Sequence, residues 1–347
     1  FMPEDLTRIK NIGCKNPPRT IKDLSQILGL STVTISKVLN SQPGVKDSTR
    51  QRVLEAVREL SFQPNEAARS LVRQRTNCLG VILTWDAGWT FTSWYFEEYL
   101  RGILEAAAQT GYNVTLYTQK MDERLTRDPG TVIRSREVDA VLLVGSRATS
   151  QQTDSLLAAR VPFAVLGEPP TGLVSNTVYI DNEGGASTAT KHLLQLGHQD
   201  VWFVYTGYDP KRSIERSRFR GYASTVKSCG QQPREPLLTS QLTEAIDSGN
   251  VPSAMVHVGD VGMLLSVLRD RQVEIPADVS IVNINDPPQA RYVEPPLTAV
   301  RQPLFEIGQR AVKLLVELLQ QGKCTFTSEI LPMELVERGS CQRVQLR

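Results

Sequence analysis

The sequence has no apolar run approaching the roughly 18 residues that a membrane-spanning helix needs. Its 347 residues are 40% hydrophobic and 22% charged, a composition of globular chains long enough for two or three packed units. Cysteine is sparse. Cys14, Cys78, Cys229, Cys324 and Cys341 are odd in number and scattered, which fits neither a disulfide framework nor the CxxC pairs of a zinc site. The only histidines, His192, His198 and His257, have no carboxylate or thiol neighbours at ligand spacing, so no metal and no cofactor is expected. Glycine-rich phosphate loops and nucleophile elbows are also missing, which argues against an enzyme. Residues 1–18 carry Arg8, Lys10 and Lys15 without an apolar segment, so a secretory signal is not expected and the chain is placed in the cytoplasm, off the membrane.

What the chain does have is an uneven distribution of charge. Residues 19–75 hold ten basic side chains against five acidic ones, while residues 76–347 are acidic on balance. A basic head on an acidic body is the footprint of a domain that neutralises phosphates, although a solvated charged surface would look the same.

The local pattern of the head favours DNA. Thr20 to Asp23 has the shape of a capping box, and Leu24, Ile27 and Leu28 give the following helix one apolar stripe that Gly29 stops. Ser31 is placed to cap a second helix, Thr32 to Leu39, with Ile35, Val38 and Leu39 inward and Thr32, Val33, Ser36, Lys37 and Asn40 outward. A third helix starts near Asp47 or Ser48 and buries Val53, Ala56, Val57 and Leu60. Two short helices joined by a glycine-containing turn make a helix-turn-helix. Its second helix enters the major groove N-terminus first, so Thr32, Val33 and Lys37 are the expected base readers: Val33 against a thymine methyl, Lys37 against guanine O6 and N7. Ser31, Thr34 and Asn40 are better placed for phosphates, and Thr20 and Ser36 complete the expected DNA contacts. Asn65 then caps a short segment, Glu66 to Val72, which is too short to be helical alone. Leu71 beside Arg69 and Arg73 needs a support, either DNA or the body.

The stretches Thr20 to Asp23, Gly29 to Asn40 and Asn65 to Leu71 resemble the lactose-repressor (LacI/GalR) family of bacterial regulators. The resemblance implies a homodimer on a palindromic operator, with hinge helices that form on DNA and Leu71 wedged into the central minor groove beside Asn65 and Arg69, a use in keeping with apolar minor-groove wedges generally.

Beyond Cys78, short apolar runs alternate with helical patterns. Strands are expected at 79–83, 113–117, 140–144, 163–166, 201–205, 254–258 and 279–284, with helices at 96–109, 150–159, 182–196, 216–229 and 262–270. This is a parallel α/β arrangement in two similar lobes. The family resemblance continues in Asp181 to Gly185, His192 to His198, Ile275 to Ser280, Ala290 to Tyr292 and Gln302-Pro303, and implies an α/β two-lobed periplasmic-binding-protein-like sensor domain behind the all-α head. The expected organisation is an extension at 1–18, the helix-turn-helix at 19–63, a hinge at 64–76, the sensor at 77–340 and a tail at 341–347. The first lobe takes about 77–178 and 301–326, the second about 179–300 and 327–340.

Ligands of open α/β lobes bind beyond the carboxyl ends of the strands, so a small-molecule effector belongs in the cleft. Although aromatics are only 6% of the chain, Trp85, Trp89, Phe91, Trp94, Tyr95 and Phe96 cluster after the first strand, as cleft faces, packing or a dimer surface. The expected effector contacts are Trp85, Tyr95, Phe96, Glu168, Arg218, Val256 and Asn285; the resemblance assigns Tyr95-Phe96 and Arg218 in particular. Arg212 and Arg216 read as solvated charges. The chain departs from the family where Asn285 followed by Asp286 stands in place of a ligand-binding aspartate, and where Gly167-Glu168 replaces a common acidic residue. A sugar is the favoured effector and a purine or nucleoside the alternative. A solute-binding protein of a transport system is the alternative of another class. The tail has no heptad repeat, so a dimer is preferred to a tetramer.

Overall fold

The computed structural model describes Pro18 and residues 20–62, 75–86, 93–119, 137–145, 150–168, 175–207, 213–321 and 326–344, with backbone alone at 84–86, 118–119 and 150–152. The chain divides after Thr76 into two units.

In the first unit, two of the three described helices begin where side chains satisfy their free amides. The Asp23 amide donates to the Thr20 hydroxyl at 3.2 Å and the Thr20 amide to the Asp23 carboxylate at 3.0 Å, a closed capping box ahead of helix α1, Ile21–Leu28. Gly29 ends it at φ +62°, a left-handed conformation that a Cβ disfavours. Helix α2, Thr32–Leu39, starts on Ser31, whose hydroxyl accepts from the Thr34 amide at 3.1 Å. Helix α3, Asp47–Glu59, has no side-chain cap. Leu24, Leu28, Ile35, Val38, Val53, Ala56 and Phe62 form the buried core, with Leu39, Val57 and Leu60 packed at its edge.

The second unit contains two sheets, each six-stranded among the described residues. The first comprises β1 (Cys78–Asp86), β2 (Asn113–Gln119), β3 (Ala140–Val144), β4 (Phe163–Leu166), β5 (Asn176–Ile180) and β11 (Ser328–Leu331), in the order β11-β5-β4-β3-β1-β2 with parallel pairings. The second comprises β6 (Val201–Tyr205), β7 (Leu237–Leu238), β8 (Ala254–Val258), β9 (Ser280–Asn285), β10 (Thr298–Arg301) and β12 (Glu334–Val336), in the order β12-β10-β9-β8-β6-β7, antiparallel only at β10–β12. Strands β3, β4, β6 and β8 are buried at every position, as sheets covered on both faces require.

Helices α4 (Trp94–Thr110) and α10 (Leu304–Gln321) cover one face of the first sheet, and α5 (Ser150–Ala158) contributes Leu156 to the other. Helices α6 (Asn182–Gln195) and α7 (Ser213–Ser228) cover one face of the second, and α8 (Thr239–Asp247) with α9 (Val261–Asp270) the other. Glycine sets the α4–α10 approach: a Cβ on Gly102 would overlap the Phe305 carbonyl, and one on Gly308 would meet the Tyr99 carbonyl at 2.5 Å.

The chain passes between sheets at Asp181, at Gln302-Pro303 and at Pro332-Met333. These crossovers correct the expected lobe limits at 178/179 and 326/327. Tyr179 and Ile180 still pair within the first sheet, and so does all of β11. A short apolar run does not reveal which sheet it joins.

Candidate nucleic-acid interface and effector cleft

Burial of Ile35 and Val38 turns the opposite side of α2 to solvent. Thr32 and Val33 are exposed, Val33 by 63%, while Ser36 and Lys37 are partly exposed. A valine so placed makes no contribution to the core and is free to meet a base methyl. The expected phosphate-contacting residues have other ties. The Ser31 and Thr34 hydroxyls lie 2.8 Å apart in the helix cap, and the Asn40 amide donates to the Ser36 carbonyl at 2.9 Å, closing the end of α2. Two of the basic residues are structural: Arg50 donates to the Gln42 carbonyl at 2.8 Å and Arg52 to the Leu28 carbonyl at 3.1 Å, bracing the turns before α3 and after α1. Composition alone gives no sign of this division of labour. Lys22, Lys46 and Arg58 are exposed. Asn65, Arg69 and Leu71, with the rest of the hinge, lie outside the described residues.

The cleft centres on Arg218 of α7, which is 6% exposed. Its Nε donates to Asn182 Oδ1 and its Nη2 to Asn285 Oδ1, both at 2.9 Å. Asn182 in turn donates to Glu168 Oε1 and to the Ile180 carbonyl at 3.3 Å, and the Gln302 amide donates to Asn285 Oδ1. Glu168 is at the end of the first lobe's β4, Asn182 just past the first crossover, Gln302 in the second, and Arg218 and Asn285 in the second lobe. One chain of hydrogen bonds therefore runs from lobe to lobe through two of the crossovers. Arg218 makes no ion pair among the described residues; burial lowers its pKa, opposed by the fields of Tyr95, Tyr205 and Glu168. A buried fork of donors held by amides favours a ligand that brings acceptors.

Tyr95 stands beside this group. Its ring meets Tyr99 edge-on at 5.2 Å and Trp94 at 5.7 Å, and burial raises its pKa, with Arg218 opposing. Tyr95, Tyr99, Glu168 and Asn182 line a small inner hollow. A larger one of about 380 Å³ adjoins it, bounded by Glu168, Tyr179 to Glu183, Ser213, Arg216, Ser217, Arg220 and Ile330.

Two expected contacts are corrected. Phe96 is 2% exposed in the first lobe's core, because consecutive helical residues point about 100° apart and only Tyr95 turns to the cleft. Val256 is fully buried mid-strand with Ala254 and Val258, away from the strand end where ligands sit. Arg216 is exposed at the entry to α7, as a solvated charge is, and also borders the larger hollow. The side chain of Trp85, together with Trp89, Phe91 and Arg212, lies outside the described residues. Asn182, Gln302 and Tyr99 are site residues that the sequence analysis does not single out, although Asn182 and Gln302 stand in family-like motifs and Tyr99 lies four residues from Tyr95 on one helix.

The Asn285-Asp286 pair divides cleanly. Both have positive φ, 106° and 52°. Asn285 faces Arg218, whereas the fully buried carboxylate of Asp286 accepts from Arg301 at 2.8 Å and from Arg338 at 3.0 Å, with a second Arg338 nitrogen at 2.8 Å. Burial alone would raise the Asp286 pKa, but the two guanidinium groups hold it below the usual carboxylate range. Asp286 is a structural anchor, and the amide is what remains for a ligand.

Comparison with known proteins bears on both units. The model of bacterial regulatory proteins of the lacI family matches residues 20–65, that of periplasmic binding proteins and the sugar binding domain of the LacI family matches 76–251, and a periplasmic binding protein-like domain matches 190–341. The HTH-type transcriptional regulator RegA of Clostridium saccharobutylicum is 28% identical over 339 residues, covering 92% of this chain and 98% of its own. The HTH-type transcriptional repressor PurR of Haemophilus influenzae is 26% identical over 351 residues, covering 94% and 99%. Among solved structures, a complex of the transcriptional regulator CelR with cellobiose superposes with a TM-score of 0.68 at 25% identity over 93% of this chain and 100% of the other. The Lac repressor dimer bound to operator and the anti-inducer ONPF gives 0.79 at 23% identity over 94% and 99%.

Proposed function

This chain belongs to the LacI family and is a helix-turn-helix transcriptional regulator, and from that premise we propose that it is a cytoplasmic repressor that binds a palindromic operator as a homodimer and is switched by a sugar in the cleft between its lobes. The observation that carries the reading is the hydrogen-bond chain Glu168–Asn182–Arg218–Asn285–Gln302, which ties the expected ligand site to two crossovers. A ligand that takes over bonds from Arg218 or Asn285 alters what holds the lobes together. Coupling to DNA is then reciprocal: effector and operator change each other's affinity by one factor.

Thr32, Val33 and Lys37 read bases in this proposal, and Leu71 wedges the operator open. Dimerisation is proposed from the likeness to the Lac repressor, which is a dimer on its operator. Mixed donors and acceptors beside the edge-on Tyr95 and Tyr99 rings suit a sugar. The half-buried Tyr95 ring favours a nucleoside as the second reading, because a flat base can stack on its face. The reading includes no catalytic role.

A thermal-shift screen of the full chain against sugars and nucleosides, followed by selection of bound sequences from random DNA, tests it. Recovery of a palindrome, with a melting shift produced by a sugar and lost in Arg218→Met, is expected. No enrichment of any sequence would overturn the operator claim, and a shift produced by nucleosides alone would replace the sugar.

A further inference from the structure

The three crossovers between the sheets are fastened to one another. The Asp181 amide of the first donates at 2.9 Å to the carbonyl of Leu331, the residue ahead of the third. Arg301 and Glu334, which border the second and the third, are ladder partners on β10 and β12, and their side chains form an ion pair at 3.9 Å. The first and third crossovers are thus joined at the first sheet, and the second and third at the second sheet. A Cβ on Gly185 would overlap the Met333 sulfur, so α6 also starts hard against the third crossover.

Among the described residues, strand pairing makes no such link between the first crossover and the second. Side chains make it instead. Arg218 reaches Asn182, just past the first crossover, with Nε and Asn285 with Nη2, and Gln302 of the second crossover donates to the same Asn285 oxygen. Asn182 is held in turn by the Ile180 carbonyl ahead of the first crossover. The buried Arg218 borders neither hollow, so its fork of donors is taken up by the crossovers rather than presented to the cleft.

We propose that Arg218 is a positioning residue that bolts the first crossover to the second, that the bolted arrangement is the one that binds operator, and that an effector acts by drawing the bolt. Two crossovers fastened to a common third leave the lobes free to twist against each other, and a link between the remaining pair removes that freedom. The residue at 285 sets the strength of the link. Amide oxygens hold a guanidinium without the counter-charge that makes a buried arginine–carboxylate pair hard to separate. Such a bolt is made wholly of the chain's own groups and yields to a ligand that draws Asn285 away. Its effect on operator rests on the repressor reading, whereas the bolt itself does not.

The test needs no effector. Nitroxide labels are introduced through a non-natural amino acid at Leu157 of α5 and at Val251 ahead of β8, both exposed and one in each lobe. Labelled full-length chains are diluted into unlabelled ones, so that pulsed spin resonance reads the distance between the lobes of one protomer. The native chain is expected to give a single narrow distribution, and Arg218→Met and Gln302→Leu broader ones. Asn285→Asp keeps an acceptor for both donors and is expected to stay as narrow as the native chain. Operator selected from random DNA by the native chain, with no small molecule added, is expected to bind Arg218→Met and Gln302→Leu on the order of tenfold more weakly, because a bolted fraction of about one in ten lowers apparent affinity by that factor. Asn285→Asp is expected to bind it as the native chain does. Gln302→Leu leaves Arg218 in place and keeps the test decisive where Arg218→Met fails to fold. Distributions as narrow as the native one in the loosened variants would overturn the bolt. Broader distributions with undiminished operator affinity would overturn its part in DNA binding. A native chain that selects no sequence would overturn the operator reading, and the distances would still decide the bolt.

Discussion

The head and the body place their polar side chains in opposite ways. In the head the expected readers stand outside the core: Val33 is 63% exposed and Thr32 is open to solvent, while Ile35 and Val38 pack behind them. In the body the polar groups are interior and hold one another, with Arg218 among two amides and Asp286 beneath two arginines. A surface reader is replaceable without disturbing its support, whereas a buried polar group removed from its network leaves its partners unsatisfied. Variation in the head should therefore alter binding with little change in stability, and variation in the body's interior should alter stability first.

The largest effect expected from this contrast is at Asp286. Asp286→Ala leaves the mostly buried Arg338 without its carboxylate and Arg301 with Glu334 alone, and should cost the body about 3–5 kcal/mol in urea unfolding. A loss below about 1 kcal/mol would mean that the cluster is not structural. Next is the pH dependence of His257, which is fully buried and bonded to Thr206 at 3.2 Å and to Asn283 at 3.0 Å. Burial lowers its pKa to about 4, with the field of Asp260 opposing. The unfolded chain then binds the extra proton first, so stability is complete above the ordinary histidine pKa and falls by about 3 kcal/mol as pH drops from about 6.5 to about 4. His257→Gln should flatten that slope in denaturation curves taken across the interval.

The head supplies the smaller effects. Lys37→Ala should reduce discrimination between operator and random DNA by about 1–3 kcal/mol in binding titrations while leaving melting of the head within about 0.5 kcal/mol. An equal loss on both DNAs would remove Lys37 from the base readers. Ser31→Ala removes the cap of α2 and should lower the head's stability by about 1 kcal/mol in chemical denaturation, restored by Ser31→Asp.

The same contrast explains which parts were legible in the sequence. In the head, helix periodicity separates a buried stripe from its complement, so identifying Ile35 and Val38 as core also identifies Thr32, Val33 and Lys37 as the other side. Thr20 and Asp23 announce their cap by spacing alone. The body's strands are apolar on both faces, so alternation does not reveal which residue faces a ligand, and Val256 looked as eligible as any strand residue. Phe96 was misplaced because it neighbours Tyr95 in sequence, while the helix turns the two apart. Asn285 and Asp286 differ in role only because the backbone turns between them and Arg301 and Arg338 arrive from later segments. Asn182 and Gln302 were visible as parts of family-like motifs, but their bonds to Arg218 and Asn285 exist only once both crossovers are in place.

The central claim, that the interior network of the body controls the exposed reader of the head, is tested most directly by measuring operator affinity of the full chain with and without a saturating cleft-binding sugar, in the native protein and in Arg218→Met. The account predicts a shift in the native protein, matched by an equal shift in sugar affinity when operator is present, and no shift in the variant. Operator affinity indifferent to a sugar that demonstrably occupies the native cleft would contradict it.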